Sequence, residues 1–454
     1  MKRRVFLKTS LLAFVALNSL FTTRLRADTL TNKIVINVFL DGGFDFRQLF
    51  VPKFSTEESS YGYNFWKSRL SLYGLDCVDE VSSFYTQYYE DITVDNREFG
   101  ISKKANWLKE QMINGDFALI NNVVGSQNRN HLSSVNYMES GKANSNPNGS
   151  GWGGRVAQEL NANIVSLSKH IRLFCNGATT TNSPNDHDNS SLISLYNGAS
   201  SGIYEFKSEN EPDVSITSPK PILSRAIHSY YQAKYEALKE TNSVYKKITI
   251  SYHNTQKFKT QLEERVAQNP PNDKLQALTG EFGEQIQNLY DALISQDFLN
   301  MKLGSIEEMA CDTHRLQFNT LESKINYMFN SGDEGALDML YQNLPQTIQD
   351  NIIFLFNGEF GRQLASNSNR GTDHGRGNAV LLVGKPLSGK ILGDMFPSTE
   401  IAKFSKVSSD IEGKTEVTRI YAKLSTWLGV DASKIFPNYQ NEMVEEGVDL
   451  ERLI

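Results

Sequence analysis

The sequence contains little cysteine or histidine and, after its first residues, no long apolar segment. Among 454 residues there are three cysteines and seven histidines. Cys77, Cys175 and Cys311 are odd in number and far apart, which excludes a disulfide framework and a zinc site of the Cys-x-x-Cys type, while a single bridge stays open. We expect Cys311 to be a small core residue, since free cysteines are commonly buried. After residue 27, no segment is long and apolar enough to cross a membrane.

Positive charge is also in short supply. The chain has 46 basic and 52 acidic residues, a formal net charge of -6. Six of the basic residues and no acidic residue lie in 1–27, so residues 28–454 carry 40 basic against 52 acidic residues, a net charge of -12. Proteins that bind nucleic acid show a basic footprint. We therefore expect no nucleic-acid partner.

The first 27 residues have the layout of an export signal. A charged start at residues 1–8 precedes a short apolar run at 9–22, and Ala27 offers a small residue before a cut ahead of Asp28. The sequence RRVFLK at residues 3–8 favours the twin-arginine type of signal. An ordinary secretory signal that happens to hold two arginines is the alternative. We predict a periplasmic or extracellular bacterial protein.

Runs of β-branched and aromatic residues predict the strands. Residues 33–40, 117–124, 352–356 and 379–383 are nearly uninterrupted runs, as expected of parallel strands that are covered on both faces, and residues 170–175 predict one more short strand. The order strand, helix, strand predicts an α/β fold with a mostly parallel central sheet flanked by helices. Residues 52–100 show little periodicity and indicate a surface excursion with short helices.

A change of composition at residues 218–302 predicts a helical insertion. This segment is charged, with apolar residues at helical spacing. Its last part, residues 273–298, predicts one long amphipathic helix. The apolar stripe is typical of core packing, and the insertion could also bind a protein partner or cover the functional site.

Acidic and histidine residues follow the predicted strands in four separate loops. They are Asp41 with Asp45, His131, Asp312 with His314, and Glu359 with Asp373 and His374. Ligands gather at the carboxyl ends of strands in open α/β sheets. Each loop alone has a plainer explanation, a capping aspartate or a solvated histidine. Together they predict a site for a divalent cation, Zn, Mn or Ca, with oxygen and imidazole ligands.

A further acidic and histidine triplet, Asp186-His187-Asp188, lies in a polar loop at residues 179–191. It could bind a cation. A flexible, solvated loop is the favoured interpretation, since Asn, Asp and Ser are standard loop formers.

The order of these motifs resembles the exported bacterial family called domain of unknown function 1501, a distant branch of the alkaline phosphatase and sulfatase superfamily. The matching segments are the twin-arginine start, 40–45, His131 with 139–141, 151–155, 312–314, 359–362 and 371–374. The resemblance covers most of the chain but not residues 50–100 and 200–305. It implies an alkaline phosphatase-like fold with a two-metal site at the strand ends.

The resemblance also assigns roles to single residues. We predict the metal ligands Asp41, Asp312, His314, Glu359, Asp373 and His374. Phe360 stands where a ligand histidine is usual in the superfamily, so only one complete metal site is expected. His131 stands ten residues before Gly141, in the place of the superfamily's nucleophile, and could serve as nucleophile, acid/base group or ligand.

Two functions remain open. The first is a metal-dependent hydrolase acting on a phosphate or sulfate ester, in a small molecule or a polymer. Its catalytic residues would be His131 and Arg362, and its substrate-binding residues Arg376 and Asp45. The second is a non-catalytic binding or assembly protein that keeps the fold and a structural metal, since a fold alone does not determine function.

Overall fold

A large mixed sheet forms the centre of the molecule. The computed structural model describes residues 32–141, 149–179, 188–195, 219–238, 258, 260–406 and 408–454. The strands in these ranges are β1 (Ile34–Leu40), β2 (Phe50–Val51), β3 (Tyr89–Val94), β4 (Arg97–Ser102), β5 (Phe117–Val124), β6 (Asn163–Ser166), β7 (Leu192–Ser194), β8 (Met301–Glu308), β9 (Ile352–Asn357), β10 (Asn378–Val383), β11 (Lys390–Leu392) and β12 (Thr415–Glu416). The central sheet has the order β11-β5-β10-β9-β1-β8-β6-β7, and β12 pairs with β5.

One strand of this sheet runs against the others. β10 is antiparallel to both β9 and β5, whereas the remaining pairings among the described strands of this sheet are parallel. The amino end of β10 therefore lies at the edge where the parallel strands have their carboxyl ends. The α/β class and the mostly parallel sheet are confirmed.

Helices cover both faces of the sheet. They are α1 (Phe46–Leu49), α2 (Tyr61–Ser68), α3 (Leu70–Tyr73), α4 (Val81–Tyr88), α5 (Asn106–Asn114), α6 (His131–Ser140), α7 (Trp152–Glu159), α8 (Pro219–Leu238), α9 (Asp273–Gln276), α10 (Gly280–Ile294), α11 (Gln296–Leu299), α12 (Gln317–Phe329), α13 (Ala336–Asn343), α14 (Gln346–Gln349), α15 (Val417–Leu428) and α16 (Ala432–Ile435). A further helical stretch spans residues 260–268.

The double cover explains the uninterrupted apolar runs in the central strands. Along β1, Ile36 and Val38 pack into the core on one face, and Val35 and Phe39 pack into the core on the other. Successive side chains of a strand point to opposite faces, so a strand covered on both faces needs apolar residues at every position. All seven residues of β1 are buried.

One strand prediction is wrong, and one central strand was not predicted. Residues 170–175 form no strand; 173–175 are a 3-10 helix, and the neighbouring strand is β6, which ends at Ser166. The central strand β8 carries polar residues at several positions and does not show a continuous apolar run. Its buried Glu307 and Glu308 are paired with Arg172 and Lys324, which makes their burial tolerable.

The segment before α5 contains a second sheet. Strands β2, β4 and β3 form a three-stranded antiparallel sheet in this order. The turn between β3 and β4 is Asp95-Asn96, and both residues have positive φ, 47° and 59°. Short polar residues with this backbone are typical of two-residue hairpin turns. The predicted short helices are present as α2 to α4, and the hairpin beside them was not expected.

The predicted helical segment 218–302 is helical in its described parts, but its end belongs to the central core. The long helix expected over 273–298 is divided into α9, α10 and α11, with Gly280 in a left-handed conformation at φ 79° between the first two. Phe282, Ile286 and Leu289 of α10 lie in the main hydrophobic core. Residues 301 and 302 already belong to β8.

The remaining expectations concern the export signal, the acidic triplet, membrane spans and the cysteines. The export signal at 1–27 and residues 186–187 of the acidic triplet lie outside the described residues. Within the described part of the chain, no helix has the length and apolar character of a membrane span. Cys175 and Cys311 are buried, Cys77 is exposed, and all three are free thiols, so the prediction for Cys311 is confirmed.

Candidate metal centre

The carboxyl edge of the sheet collects the predicted site residues from five strands. Asp41 directly follows β1, Asp312 and His314 follow β8, and Glu359 follows β9. These three strands are neighbours. His131 begins α6 after β5, and the loop with Asp373 and His374 enters the antiparallel β10. Sheet topology therefore joins residues that are more than 200 positions apart in sequence.

Three polar atoms meet at the middle of this edge. His314 Nε2 lies 2.9 Å from His374 Nε2. Asp312 Oδ1 lies 3.1 Å from His314 Nε2 and 3.0 Å from His374 Nε2. Ligand atoms on a tetrahedral ion at about 2.0–2.1 Å would be about 3.3 Å apart. A few tenths of an ångström of expansion would turn this triangle into three positions of a coordination sphere.

Hydrogen bonds on the far side of each imidazole determine which nitrogen faces the triangle with a lone pair. His374 Nδ1 lies 2.9 Å from the carbonyl oxygen of Arg129, and a carbonyl only accepts, so Nδ1 carries the proton. His314 Nδ1 lies 2.9 Å from Asp373 Oδ1 and donates likewise. In the neutral imidazoles both Nε2 atoms then present lone pairs to Asp312. A proton or a cation must lie among the three acceptors, and Nδ1–H bonds to carbonyls and carboxylates are the usual support of metal-binding histidines.

His131 approaches the same group from α6. Its Nε2 lies 3.5 Å from Asp312 Oδ2, and ligand atoms of His131, Asp312 and His374 all lie within 4.8 Å of one another. Its Nδ1 is 2.9 Å from Glu359 Oε1. Since 45% of the His131 side chain is exposed, its ring has access both to the centre and to solvent.

Glu359, the partner of His131 Nδ1, uses both of its carboxylate oxygens in hydrogen bonds. Its carboxylate accepts hydrogen bonds from the backbone N–H of Gly42, at 2.8 and 3.0 Å, and of Gly43, at 3.1 Å. Burial raises the pKa of Glu359, the nearby Asp41 raises it further, and the hydrogen bond with His131 acts in the opposite direction. Glu359 is thus placed to orient His131 rather than to bind a cation directly. Asp373 stands in the same relation to His314.

Gly42 and Gly43 permit this arrangement because each has a positive φ, 110° and 77°. A Cβ atom at Gly42 would lie 2.2 Å from the backbone nitrogen of Asp312. The loop after β1 can therefore pass close to the loop after β8 and direct two N–H groups at Glu359 only with glycine at both positions.

The electrostatics of the centre favour the ionised forms of Asp312 and Asp373 and the neutral form of His374. Although burial acts to raise them, the hydrogen bond from Arg362 and the contact with His374 lower the pKa of Asp312, and hydrogen bonds with His314 and Asn367 lower that of Asp373. Burial lowers the pKa of His374, with Arg362 adding to the effect. Ionised carboxylate and neutral imidazole are the forms that bind metal. The oxygen and imidazole donors suit Zn or Mn well, and the high share of nitrogen suits Ca poorly.

Phe360 closes one side of the centre. Its ring centroid lies 4.3 Å from that of His374 and 5.0 Å from that of His131. The phenyl ring offers no ligand atom, so it holds the two imidazoles in place by packing.

Arg362 differs from its expected role as a catalytic group. Its guanidinium is buried and donates to the carbonyl oxygens of Gly42, Gly43, Cys311 and Thr372 and to the carboxylate of Asp312. The contact with Asp312 Oδ1 is 2.7 Å. A guanidinium with all sides occupied cannot also bind a substrate anion in the cleft. Its placement makes Arg362 the residue that joins three loops and holds Asp312.

Asp45 is likewise removed from the cleft that it was expected to line. It is buried, its Oδ1 accepts from the backbone N–H of Arg47 at the start of α1, and its Oδ2 accepts from Arg69 and Gln317 at 2.7 and 2.8 Å. This placement does not support a substrate-binding role. Arg376 does lie at the rim of the centre, where it is half-exposed and paired with Asp410.

Asp41 takes part in a different cluster. Its Oδ1 lies 3.4 Å from Arg172 Nη1, and the same guanidinium binds Glu139 and, at 2.8 Å, Glu307. Arg172 also stacks on Phe39 with 3.9 Å between the guanidinium carbon and the ring centroid. An arginine thus stands among the carboxylates next to the metal centre, so Asp41 has a cationic partner already.

The comparison with protein families identifies the family of this chain. The model of the family described as "Protein of unknown function (DUF1501)" matches residues 32–446. The chain belongs to the DUF1501 family. The match spans β1 to the region after α16 and includes every residue of the centre. A comparison with curated proteins gives no match.

Three functional candidates in this DUF1501 chain were not found from sequence. Arg172 lies in the segment 170–175, which was interpreted as a strand. Arg129 supplies the carbonyl oxygen to His374, a backbone role without a side-chain signal. Asp410 binds both Arg129 and Arg376 but lies in no motif. A search for acidic or basic residues that follow strands would have found Arg172, six residues after β6, and Arg129, five residues after β5, but not Asp410.

Proposed function

We propose that this chain is an exported metal-dependent hydrolase of phosphate or sulfate esters, with an alkaline phosphatase-like fold and one divalent cation. Asp312, His314 and His374 hold the cation, and His131 is the acid/base group. The observation that carries the proposal is the triangle of three acceptor atoms, 2.9 to 3.1 Å apart, in which neutral imidazoles leave no proton. The mixed sheet with the centre at its carboxyl edge supports the fold assignment.

The proposed chemistry divides between the cation and the dyad of His131 and Glu359. A bound divalent cation supplies charge to polarise the ester and lowers the pKa of water. His131 Nε2 accepts a proton from the attacking water and later gives it to the leaving oxygen, while Nδ1–H stays bonded to Glu359 Oε1. The carboxylate stabilises the imidazolium formed in between. Water and ester thus give acid and alcohol with the proton returned.

A single experiment on His131→Ala tests the division of roles. The chain from residue 28 onward is purified, its metal is measured by elemental analysis, and hydrolysis of aryl phosphate, phosphodiester and aryl sulfate is followed. We expect about one metal ion per chain in both proteins and at least a ~100-fold loss of turnover in the variant. The exposed His170 provides the control, and His170→Ala should change neither quantity.

A second function, a non-catalytic metal-binding protein, is favoured by one observation. His131 Nε2 is only 3.5 Å from Asp312 Oδ2, so it is near enough to become a fourth ligand, and structural zinc sites have four protein ligands and no open position. In that case His131→Ala lowers metal affinity, and the original protein hydrolyses none of the three esters. Absence of bound metal under all loading conditions would contradict both functions.

The proposed export has its own test. Replacing both Arg3 and Arg4 by lysine should keep the precursor in the bacterial cytoplasm if the signal is of the twin-arginine type. Fractionation of cells that express the full chain measures this. Continued export of the variant through the general secretory route would contradict the twin-arginine assignment.

A further inference from the structure

Two arginines at the rim of the metal centre share one buried carboxylate. Asp410 is 4% exposed in its side chain, whereas those of Arg129 and Arg376 are 32% and 46% exposed. Asp410 Oδ2 accepts from Arg129 Nη2 at 2.8 Å and from the backbone N–H of Arg376 at 2.8 Å. The side chain of Arg376 adds bonds of 3.1 and 3.2 Å to the two carboxylate oxygens.

The charges of this group do not cancel. Two guanidinium groups face one carboxylate, whose pKa is lowered by hydrogen bonds from both arginines in spite of burial. Glu412 is also near Arg376, but it is exposed and lies 3.6 Å from Lys403. One positive charge therefore remains at the rim, in a chain whose net charge is negative.

Both arginines also have unused donors. Among the described residues, Arg129 bonds through Nη2 and Arg376 through its backbone N, Nε and Nη2. The Nη1 groups of the two side chains make no hydrogen bond there. Because Asp410 holds both guanidinium groups, an anion that binds the free donors meets partners that are already ordered.

The position of the pair separates it from the reacting group. His374 Nε2 faces Asp312 and His314, while His374 Nδ1, on the opposite side of the ring, faces the carbonyl oxygen of Arg129. Arg376 follows His374 by two residues. The backbone of Arg129 therefore adjoins the nitrogen of His374 that does not face Asp312, and Asp410 holds the guanidinium groups of Arg129 and Arg376 together beside it.

We propose that Arg129 and Arg376 form a recognition site for a second anionic group of the substrate. The inference rests on the proposed function and narrows it: the substrates are phosphate or sulfate esters that carry a further carboxylate, phosphate or sulfate away from the ester that is cleaved. Arginine recognises such groups through paired, charge-assisted hydrogen bonds. Asp410 is a positioning residue that keeps the two guanidinium groups together.

Titration with non-hydrolysable probes tests the site without turnover. Phenylphosphonate carries one anionic group, and 4-carboxyphenylphosphonate carries two. We expect the metal-loaded protein to bind the second probe roughly 10-fold more tightly, as expected for an added charge-assisted hydrogen bond. Arg129→Gln and Arg376→Gln should remove most of this preference and leave the affinity for phenylphosphonate unchanged. The preference should also weaken with added salt, because the arginines are partly exposed.

Three controls separate the outcomes. Arg265→Gln, which removes an arginine of similar exposure (35%) paired with Asp297, should keep the preference, and Arg376→Lys should restore part of it. Titrating benzoate into metal-free protein reports on the arginines alone. If the original protein does not bind phenylphosphonate but binds benzoate, and the glutamine substitutions abolish the benzoate binding, the metal centre is contradicted and the arginine site is supported. Equal affinity for both probes in the original protein, or a preference that survives both glutamine substitutions, overturns the inference.

Discussion

Two clusters at the carboxyl edge of the sheet use carboxylates in opposite ways. In the candidate metal centre, Asp312 faces the Nε2 atoms of His314 and His374, which bring no fixed charge, and Asp312 Oδ1 also accepts from Arg362 at 2.7 Å. In the neighbouring cluster, Asp41, Glu139 and Glu307 surround Arg172, whose guanidinium is the cation. The strands β1 and β8 contribute to both clusters.

The side chain in the middle accounts for this difference. An arginine brings its own charge and cannot lose it at accessible pH, so the carboxylates around it form a closed structural unit. Imidazoles bring lone pairs and no fixed charge, so a cation bound between them would have to come from solution. The comparison teaches that carboxylates at strand ends do not by themselves identify a metal site. The identity of their neighbours decides between a structural ion pair and a ligand set.

The largest expected effect is the loss of metal from the imidazole centre. His374→Ala removes one corner of the triangle, and Asp312→Asn removes the charged ligand. Each should weaken metal binding by more than ~100-fold, since changes to the outer partners of ligands already cost about 10- to 100-fold. Elemental analysis and competition with a chelator measure this. Retention of a full equivalent of metal by both variants would mean that the cation lies elsewhere.

The next largest effect should be a loss of stability when Arg172 is replaced, since this residue is the centre of the arginine cluster with Asp41, Glu139 and Glu307. Arg172→Met leaves three carboxylates without their partner, and breaking a buried pair costs roughly 3–5 kcal/mol. Urea unfolding at pH 8 measures the loss. Arg265→Met, which breaks one exposed pair with Asp297, should cost less than about 1 kcal/mol.

The loss in Arg172→Met should shrink as the pH falls. Burial raises the pKa of Glu139 even beside Arg172, and without the guanidinium this pKa rises further. A carboxyl whose pKa is higher in the folded than in the unfolded protein favours folding below its unfolded pKa, and this contribution is lost as the pH rises through the folded pKa. The variant should therefore lie closer to the original protein at pH 5 than at pH 8. A loss that is the same at both pH values would contradict the assigned cause.

A smaller and more selective effect is expected for Glu359→Gln. The amide keeps an oxygen for the N–H groups of Gly42 and Gly43, but it no longer provides a carboxylate for the protonated His131. We expect turnover to fall by about 10- to 100-fold with the metal content unchanged. Rate measurements from pH 5 to 9 should show a changed profile, because the carboxylate stabilises the imidazolium. Loss of metal from this variant would show that Glu359 is a ligand, as expected from sequence.

Whether a strand could be predicted from the sequence depends on which residue types fill its buried positions. β1, β5, β9 and β10 could be predicted because most of the buried residues in each are apolar and only asparagines interrupt them. β8 could not, because Lys302, Ser305 and Glu307 are buried there, and the partner that makes the burial of Glu307 tolerable, Arg172, lies far away in the sequence. The turn Asp95-Asn96 does carry a local signal, and the hairpin around it was predictable from that signal.

The candidate site shows the same division. The residue types predicted the loops that hold Asp312, His314, Glu359 and His374, and for Glu359 the position after a predicted strand did so as well. The order of the contacts was not predictable, since it depends on backbone groups: the N–H groups of Gly42 and Gly43 hold Glu359, and the carbonyl of Arg129 orients His374. Backbone donors and acceptors are present at every residue, so only the fold shows which of them are used.

The smallest expected effect is the sharpest test of the comparison, and it concerns Asp41. Asp41 was predicted as a metal ligand, and it lies beside Arg172 with a contact of 3.4 Å and a side chain that is 32% exposed. A pair of this length and exposure contributes less than about 1 kcal/mol. Asp41→Asn should therefore leave the metal content unchanged and shift the free energy of unfolding only slightly.

The matched variant for Asp41→Asn is Glu307→Asn, because Glu307 is buried and 2.8 Å from the same guanidinium. It should cost more stability than Asp41→Asn and also leave the metal in place. If Asp41→Asn instead releases the metal, the two clusters act as one extended cation site. Arg172 would then be a partner of a metal ligand, and the distinction between an arginine cluster and an imidazole centre would fail at the residue that adjoins both.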